Sequence, residues 1–147
     1  MACALGLSGL SACGERTAIE EVSSFGPLAL GQVAPHFAAA TENGKGFDSP
    51  LPSGKFTVYC IEASLPSTCL DEGCGPAAQF VLAKGGRVIG MSDLKGARLF
   101  GVKARQDNNS KLETSLVVIC DAEQRIVAIY KGATTKDVER LVRRLNL

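Results

Sequence analysis

The run Phe56-Thr57-Val58-Tyr59-Cys60-Ile61-Glu62-Ala63 constrains this chain more than any other stretch. It is rich in β-branched and aromatic residues and holds no Pro or Gly, so it reads as a strand. The chain then turns through Ser64-Leu65-Pro66-Ser67-Thr68 and reaches Cys69, with hydroxyl residues suited to capping a helix. Cys69 is therefore expected at a strand-to-helix junction. Two helices fit the segment after Cys69. One runs over residues 70–84 with a flaw at Gly73-Cys74-Gly75, and the other starts cleanly with Pro76 in its first turn.

The rest of the chain keeps this alternation. Arg87 to Met91 reads as a short strand and Asp93 to Phe100 as a short helix. Thr114 to Cys120 and Arg125 to Tyr130 read as two strands joined by the turn Asp121-Ala122-Glu123-Gln124. At the end, Val138, Leu141, Val142 and Leu145 fall on one face of a helix over Thr135 to Leu145. Upstream, Thr41 to Gly54 is punctuated by Gly and Pro and reads as a short hairpin or meander. Strands alternating with helices and closing with a hairpin and a helix predict an α/β three-layer sandwich with a mixed sheet. At 147 residues, 46% of them hydrophobic, the chain supplies one ordinary core and not two.

The N-terminal stretch has a different character. Met1 to Ala12 is small, apolar and uncharged and runs straight into Cys13, which reads as a processing signal. An apolar helix packed on the core is the structural alternative, but two Gly, two Ser and no polar face make it a weak one. Residues 14–31 mix charge, Ser and Gly and read as an irregular spacer. The folded domain is expected over residues 32–147.

Sixteen Lys and Arg against fifteen Asp and Glu are scattered without runs, and there is no Trp. Such a surface does not fit a nucleic-acid partner, which calls for a basic face with aromatics placed for stacking. Beyond Cys13 lie Cys60, Cys69, Cys74 and Cys120. Their spacing contains no paired C-x-x-C knuckles, and the single histidine, His36, is far away in sequence, so neither a metal nor a cofactor is expected. Cys60 and Cys120 fall inside apolar strands and read as small buried hydrophobes. Each also remains open as a partner of Cys69 from a neighbouring strand. Cys69 at a helix N-terminus would be favoured as thiolate, while Asp71 and Glu72 directly downstream oppose ionisation. Gly73 and Gly75 leave room for the intervening segment to bend and bring Cys69 and Cys74 together.

Several motifs carry a resemblance. Gly31-Gln32-Val33-Ala34-Pro35-His36-Phe37 is similar to the G-x-x-A-P-x-F that opens redoxin and peroxiredoxin domains of the thioredoxin-like fold, and Gly54-Lys55 resembles the G-K before their first core strand. Ser64 to Cys69 is similar to the S-L-D-T-x-x-C of atypical two-cysteine thiol peroxidases, which puts Cys69 at the peroxidatic position. Leu99-Phe100-Gly101-Val102 and the segment from Leu116 to Val127 resemble later landmarks of the family. The chain departs from the pattern where Glu62 and Pro66 hold the Pro and Thr positions of P-x-x-x-T-x-x-C, with Thr68 as the nearest hydroxyl, and where the arginine position falls at about Ser115. The segment between the cysteine helix and the C-terminal hairpin is also shortened.

The resemblance implies a thiol oxidoreductase that reduces a peroxide or a protein disulfide. Cys69, at the peroxidatic position, attacks; Cys74, chosen from its spacing and not from the family pattern, whose resolving-cysteine region is missing here, resolves; Thr68 and Pro66 support the site, and an external thioredoxin-like reductant restores the thiols. Leu10-Ser11-Ala12-Cys13 resembles a bacterial lipobox, which implies residues 1–13 as signal, a lipid on Cys13 and a place at the cell-envelope membrane facing the periplasm or exterior. A degenerate redoxin with a structural or binding role is the rival reading. Metal handling by the paired thiols is a third, though it lacks the C-x-x-x-C spacing of copper-assembly lipoproteins.

Overall fold

The computed structural model of the chain describes residues 18–35, 37–40, 46–49, 55–62, 70–72, 78–101 and 114–146. The central strand β6 (Thr57–Glu62) is the expected one, and every residue in it is buried. On one side it pairs in parallel with β8 (Arg87–Ser92), and on the other it pairs antiparallel with β9 (Leu116–Cys120). The connection from β6 to β8 passes through helix α1 (Ala78–Ala83), as a parallel pair requires. Helix α2 (Asp93–Phe100) follows β8, and β9 returns along β10 (Ile126–Lys131) as an antiparallel hairpin. A 3-10 turn (Thr135–Asp137) leads into helix α3 (Val138–Leu145).

The layers follow from side-chain alternation along the strands. Val58 and Cys60 face Val81 of α1 and Val138, Leu141 and Val142 of α3 in one buried cluster. Tyr59 and Ile61 face Ala97 and Phe100 of α2 in the other. Phe100 meets Tyr59 edge-on at 5.1 Å between ring centroids. The mixed-sheet α/β sandwich is therefore present, with α1 and α3 on one face and α2 on the other. At Gly96 helix α2 lies close against the sheet, because a Cβ there would run into the Ile61 side chain.

The hairpin and the last helix are closed by local polar chemistry. Asp121 Oδ1 accepts the Glu123 and Arg125 N–H groups at 2.9 and 3.0 Å, an Asx-type turn that leaves Gln124 at φ 67°. Thr134 and Asp137 form a capping box at the 3-10 turn. Asn146 ends α3 in the left-handed conformation.

Two expectations need correction. The folded body begins before residue 32: β1 (Glu20–Val22) pairs with β10 at one edge of the main sheet. A small hairpin, β2 (Ser24–Phe25) with β3 (Leu28–Ala29), follows it and buries Leu28 against the α2 face. Polar composition suggests a spacer here, whereas an edge strand is recruited by backbone pairing and tolerates polar side chains.

The second correction concerns the helix expected over residues 70–84. Leu70–Glu72 is instead strand β7, antiparallel to β8 at the other edge, and the first described helical residue of α1 is Ala78. Gly73 and Gly75 weaken helix here, and the open edge of β8 offers this stretch backbone partners. The alternative start at Pro76 comes close to the observed one. The strand order is thus β1-β10-β9-β6-β8-β7. Residues Phe37–Ala40 (β4) and Gly46–Ser49 (β5) form a separate hairpin, whose first strand lies ahead of the Thr41 to Gly54 stretch where a hairpin or meander was expected.

Candidate functional site

In open α/β sheets, ligands gather at the carboxyl ends of parallel strands, where the order of connections reverses. Here that point lies at the end of β6, whose neighbours β8 and β9 are reached in opposite directions. The residues at this end are polar. Glu62 and Ser92 close β6 and β8 side by side in register, and both are buried. Ser115 immediately precedes β9, and its carbonyl accepts the Gly132 N–H at 2.9 Å. Thr134 and Thr135 arrive from the far side of the hairpin.

Glu62 is the feature that sequence reasoning undervalues. Its side chain is 7% exposed, and Oε2 accepts the Thr135 N–H at 2.8 Å. One carboxylate thus ties the last residue of the central strand to the turn that starts α3. A buried carboxylate costs several kcal/mol in desolvation unless polar partners repay it, about 1.5–3 kcal/mol for each bond to a charged group. The signal available in the sequence is a lone charge inside an otherwise apolar strand. It stands out there only as a departure at the position where thiol peroxidases carry Pro.

Cys69, Cys74, Thr68 and Pro66 lie outside the described residues, as do Cys13 and His36. In the sequence Pro66, Thr68 and Cys69 follow Glu62, the last residue of β6, and Cys69 precedes Leu70, which pairs with Met91 one residue from the end of β8. Cys74 falls between Glu72 of β7 and Ala78 of α1. No helix begins at residue 70, so the helix N-terminus expected to favour a Cys69 thiolate is replaced by a strand.

Cys60 and Cys120 are buried thiols, as the strand reading expected. They sit on opposite faces of the sheet, Cys60 beneath α1 and α3 and Cys120 on the α2 side. Burial pushes the Cys120 thiol up to about 12, with Asp121 adding to the rise. Burial also raises the Tyr130 hydroxyl, helped by Glu21 and opposed by Arg144.

A raised thiol pKa is a stability statement. The folded chain keeps the Cys120 proton where the unfolded chain has begun to lose it, so this contribution is intact below the ordinary thiol pKa. It declines as pH climbs from there towards about 12. Urea unfolding at pH 8 and pH 10.5 is expected to show a loss of stability that is smaller in Cys120→Ala, by up to about 1.4 kcal/mol per pH unit. Equal losses in the two proteins would refute it.

The opposite end of the sheet is a polar brace. Arg87 Nε donates to Thr57 Oγ1 at 3.2 Å, Thr57 Oγ1 to Gln124 Oε1 at 3.3 Å, and Gln124 Nε2 to the Lys55 carbonyl at 2.9 Å. A shallow cleft of about 480 Å³ lies at this end as well, lined in part by Pro27, Val33, Arg98 and Phe100. It is remote from the end of β6. Among the described residues no group of three or more His, Cys, Asp or Glu could hold a metal ion. None of the described helices is long and apolar enough to cross a membrane.

No protein-family model and no curated protein matches the sequence. Solved structures do match. The solution structure of a thiol:disulfide interchange protein from Bacteroides sp. superposes with a TM-score of 0.50 at 18% identity, covering 80% of this chain and 90% of that one. The fold is thioredoxin-like. Two further structures align less well. The thioredoxin domain of a thiol-disulfide oxidoreductase from Bacteroides vulgatus has TM-score 0.48, 19% identity and coverage of 80% and 98%. A thiol peroxidase from Chromobacterium violaceum has TM-score 0.47, 11% identity and coverage of 84% and 91%. Around the unit β6-α1-β8-α2-β9-β10-α3, β1 and β7 form the two edges of the main sheet, and the two small hairpins pair separately.

Proposed function

We propose that this chain is a thiol-dependent oxidoreductase that acts through Cys69, with Cys74 as the resolving thiol and a disulfide as the favoured substrate. The observation that carries this reading is the end of β6. The central strand of a thioredoxin-like core ends with Glu62 at the switch point of the sheet, Cys69 follows seven residues later in the sequence, and Cys60 and Cys120 are enclosed within strands. The described cysteines are thus poor nucleophiles by burial, which among the cysteines beyond Cys13 turns the reading to Cys69 and Cys74.

In the proposed reaction the Cys69 thiolate attacks one sulfur of the substrate disulfide, forming a mixed disulfide and expelling the other sulfur as a thiolate. Cys74 then attacks the Cys69 sulfur, releasing the second substrate thiol and leaving a Cys69–Cys74 disulfide. An external dithiol takes over that oxidation and returns both thiols.

A disulfide is favoured over a peroxide for two reasons. The structure with TM-score 0.50 is a thiol:disulfide interchange protein. In addition, Glu62 stands where thiol peroxidases carry Pro, so a polar side chain hydrogen-bonded to the Thr135 N–H takes the place of the apolar ring of the peroxidase pattern.

The degenerate reading has one observation in its favour, the strand at Leu70–Glu72 in place of a helix that would lower the Cys69 pKa. Stopped-flow oxidation of the fully reduced chain separates the possibilities. Glutathione disulfide is expected to oxidise it at least about tenfold faster than it oxidises free cysteine at pH 7, with hydrogen peroxide showing no comparable gain. A large gain with peroxide alone would restore the peroxidase. No gain with either oxidant would leave the degenerate redoxin.

A further inference from the structure

We propose that the face formed by α1 and α3 is a docking surface for an anionic lipid bilayer, held by cations that the fold gathers beside an exposed leucine. The inference goes beyond the thiol reading and does not rest on it.

Along the sequence the charges are scattered, but the fold sorts them. Helices α1 and α3 lie on the same side of the sheet, where their inner faces share one buried cluster. Lys84 follows α1, Lys136 lies in the 3-10 turn, and Arg140, Arg143 and Arg144 belong to α3; all five are exposed. The Phe80 ring brings the cations of the two helices together, with Arg143 Cζ 4.7 Å and Lys84 Nζ 5.9 Å from its centroid. Arg140 precedes Arg143 by three residues and Arg144 by four, so it neighbours both on the helix surface.

Little on this face cancels the charge. Among the described residues of α1, the 3-10 turn and α3, Asp137 and Glu139 are the carboxylates. Asp137 is buried and accepts from Arg140 at 3.0 Å, yet the Arg140 side chain stays 61% exposed. Glu139 meets Arg143 at 2.9 Å. Five cations thus stand against one exposed carboxylate, and the patch ends at β1, where Glu20 and Glu21 are exposed. Stabilising the end of α3 through its dipole accounts for Arg143 and Arg144, but not for Lys84, Lys136 and Arg140. Each cation within reach of an anionic membrane raises affinity about fivefold, an effect that salt screens.

The apolar part of the face favours a bilayer over other polyanions. Leu82 of α1 is 49% exposed. Lys and Arg stems lie in the headgroup region with their charges at the phosphates, while a leucine enters the acyl boundary. A nucleic acid calls for exposed aromatics on which bases stack, whereas Phe80 is partly buried and has Arg143 over its ring.

Vesicle co-sedimentation of the full chain tests this, with phosphatidylcholine alone compared with an equal mixture of phosphatidylcholine and phosphatidylglycerol. Binding to the anionic vesicles is expected to be at least about tenfold tighter at low salt, and the gain should vanish at about 1 M salt. Lys84→Glu/Arg140→Glu/Arg144→Glu should lose the gain, and the milder Lys84→Gln/Arg144→Gln should reduce it at least about fivefold, which covers the case that the triple variant fails to fold. Leu82→Ser is expected to weaken binding to anionic vesicles at least about threefold and to leave binding to soluble polyglutamate unchanged. Equal binding to both kinds of vesicle would overturn the proposal, since adsorption through the apolar residues 1–12 is indifferent to headgroup charge. A charge-dependent gain that survives in the variants would also overturn it. Polyglutamate bound as tightly as the anionic vesicles, with Leu82→Ser affecting neither, would replace the bilayer with an acidic protein.

Discussion

Replacing Gly96 with valine is expected to lower stability by about 1–3 kcal/mol, because a Cβ at this position collides with Ile61 of the central strand. Two effects compete. Removing a glycine from a helix interior gains a few tenths of a kcal/mol from backbone entropy when the replacement is β-branched. The space required is far costlier, since Ile61 is 1% exposed and Gly96 itself is buried, so that neither side can yield without moving α2 away from β6. For a domain of this size each kcal/mol is about 2–4 °C in Tm. The Tm of Gly96→Val should therefore fall by roughly 2–12 °C. The double variant with Ile61→Ala, measured as a cycle, should lose less than the sum of the two single losses, because the truncated side chain makes room for the new methyl groups. Additive losses would mean that α2 does not sit on Ile61 as described.

That contact also illustrates what the sequence could and could not reveal. The strands of the thioredoxin-like core were legible where apolar periodicity is strong. β6, β8, β9 and β10 each fall within a residue or two of their expected bounds, and α2 matches its expected span. The stripe Val138, Leu141 and Val142 was likewise readable, since burial at helical spacing is what makes α3 amphipathic. A glycine that permits close approach is silent in sequence, because only the neighbour across the interface gives it meaning.

The two edge strands were not legible for a related reason. Glu20–Val22 and Leu70–Glu72 are short and acidic, with no alternation to detect, and both exist because an adjacent strand presents unpaired backbone groups. Their acidic composition also protects the sheet from pairing with another molecule. In the second case a local preference misleads as well. Hydroxyl residues before Cys69 look like a helix cap, yet the helix begins later, so the cysteine precedes a strand.

Of the candidate site, the burial of Cys60 and Cys120 follows from their apolar strands, whereas Cys69, expected at the start of a helix, precedes a strand. Glu62 was visible as an anomaly, but its role was not. Its partner is the backbone of Thr135, and 73 residues separate the two in sequence. A contact of that separation leaves no local pattern.

The second large effect concerns Cys69 itself. In the proposed reaction it makes the first covalent bond, so Cys69→Ser is expected to lose disulfide reduction by at least about a hundredfold, a hydroxyl being a far weaker nucleophile than a thiolate at neutral pH. Cys74→Ser should behave differently. Attack still occurs, but resolution does not, and the reaction halts at the mixed disulfide. The two variants thus fail at successive steps, which a purely structural role for either cysteine does not predict.

Intact mass and peptide mapping of Cys74→Ser, taken after brief reaction of the folded, reduced protein with glutathione disulfide at pH 7, tests the central claim most directly. One glutathione per chain, carried on Cys69, is the predicted result. A chain that stays unmodified on the timescale of free cysteine, or an adduct on Cys60 or Cys120 with Cys69 untouched, would contradict it.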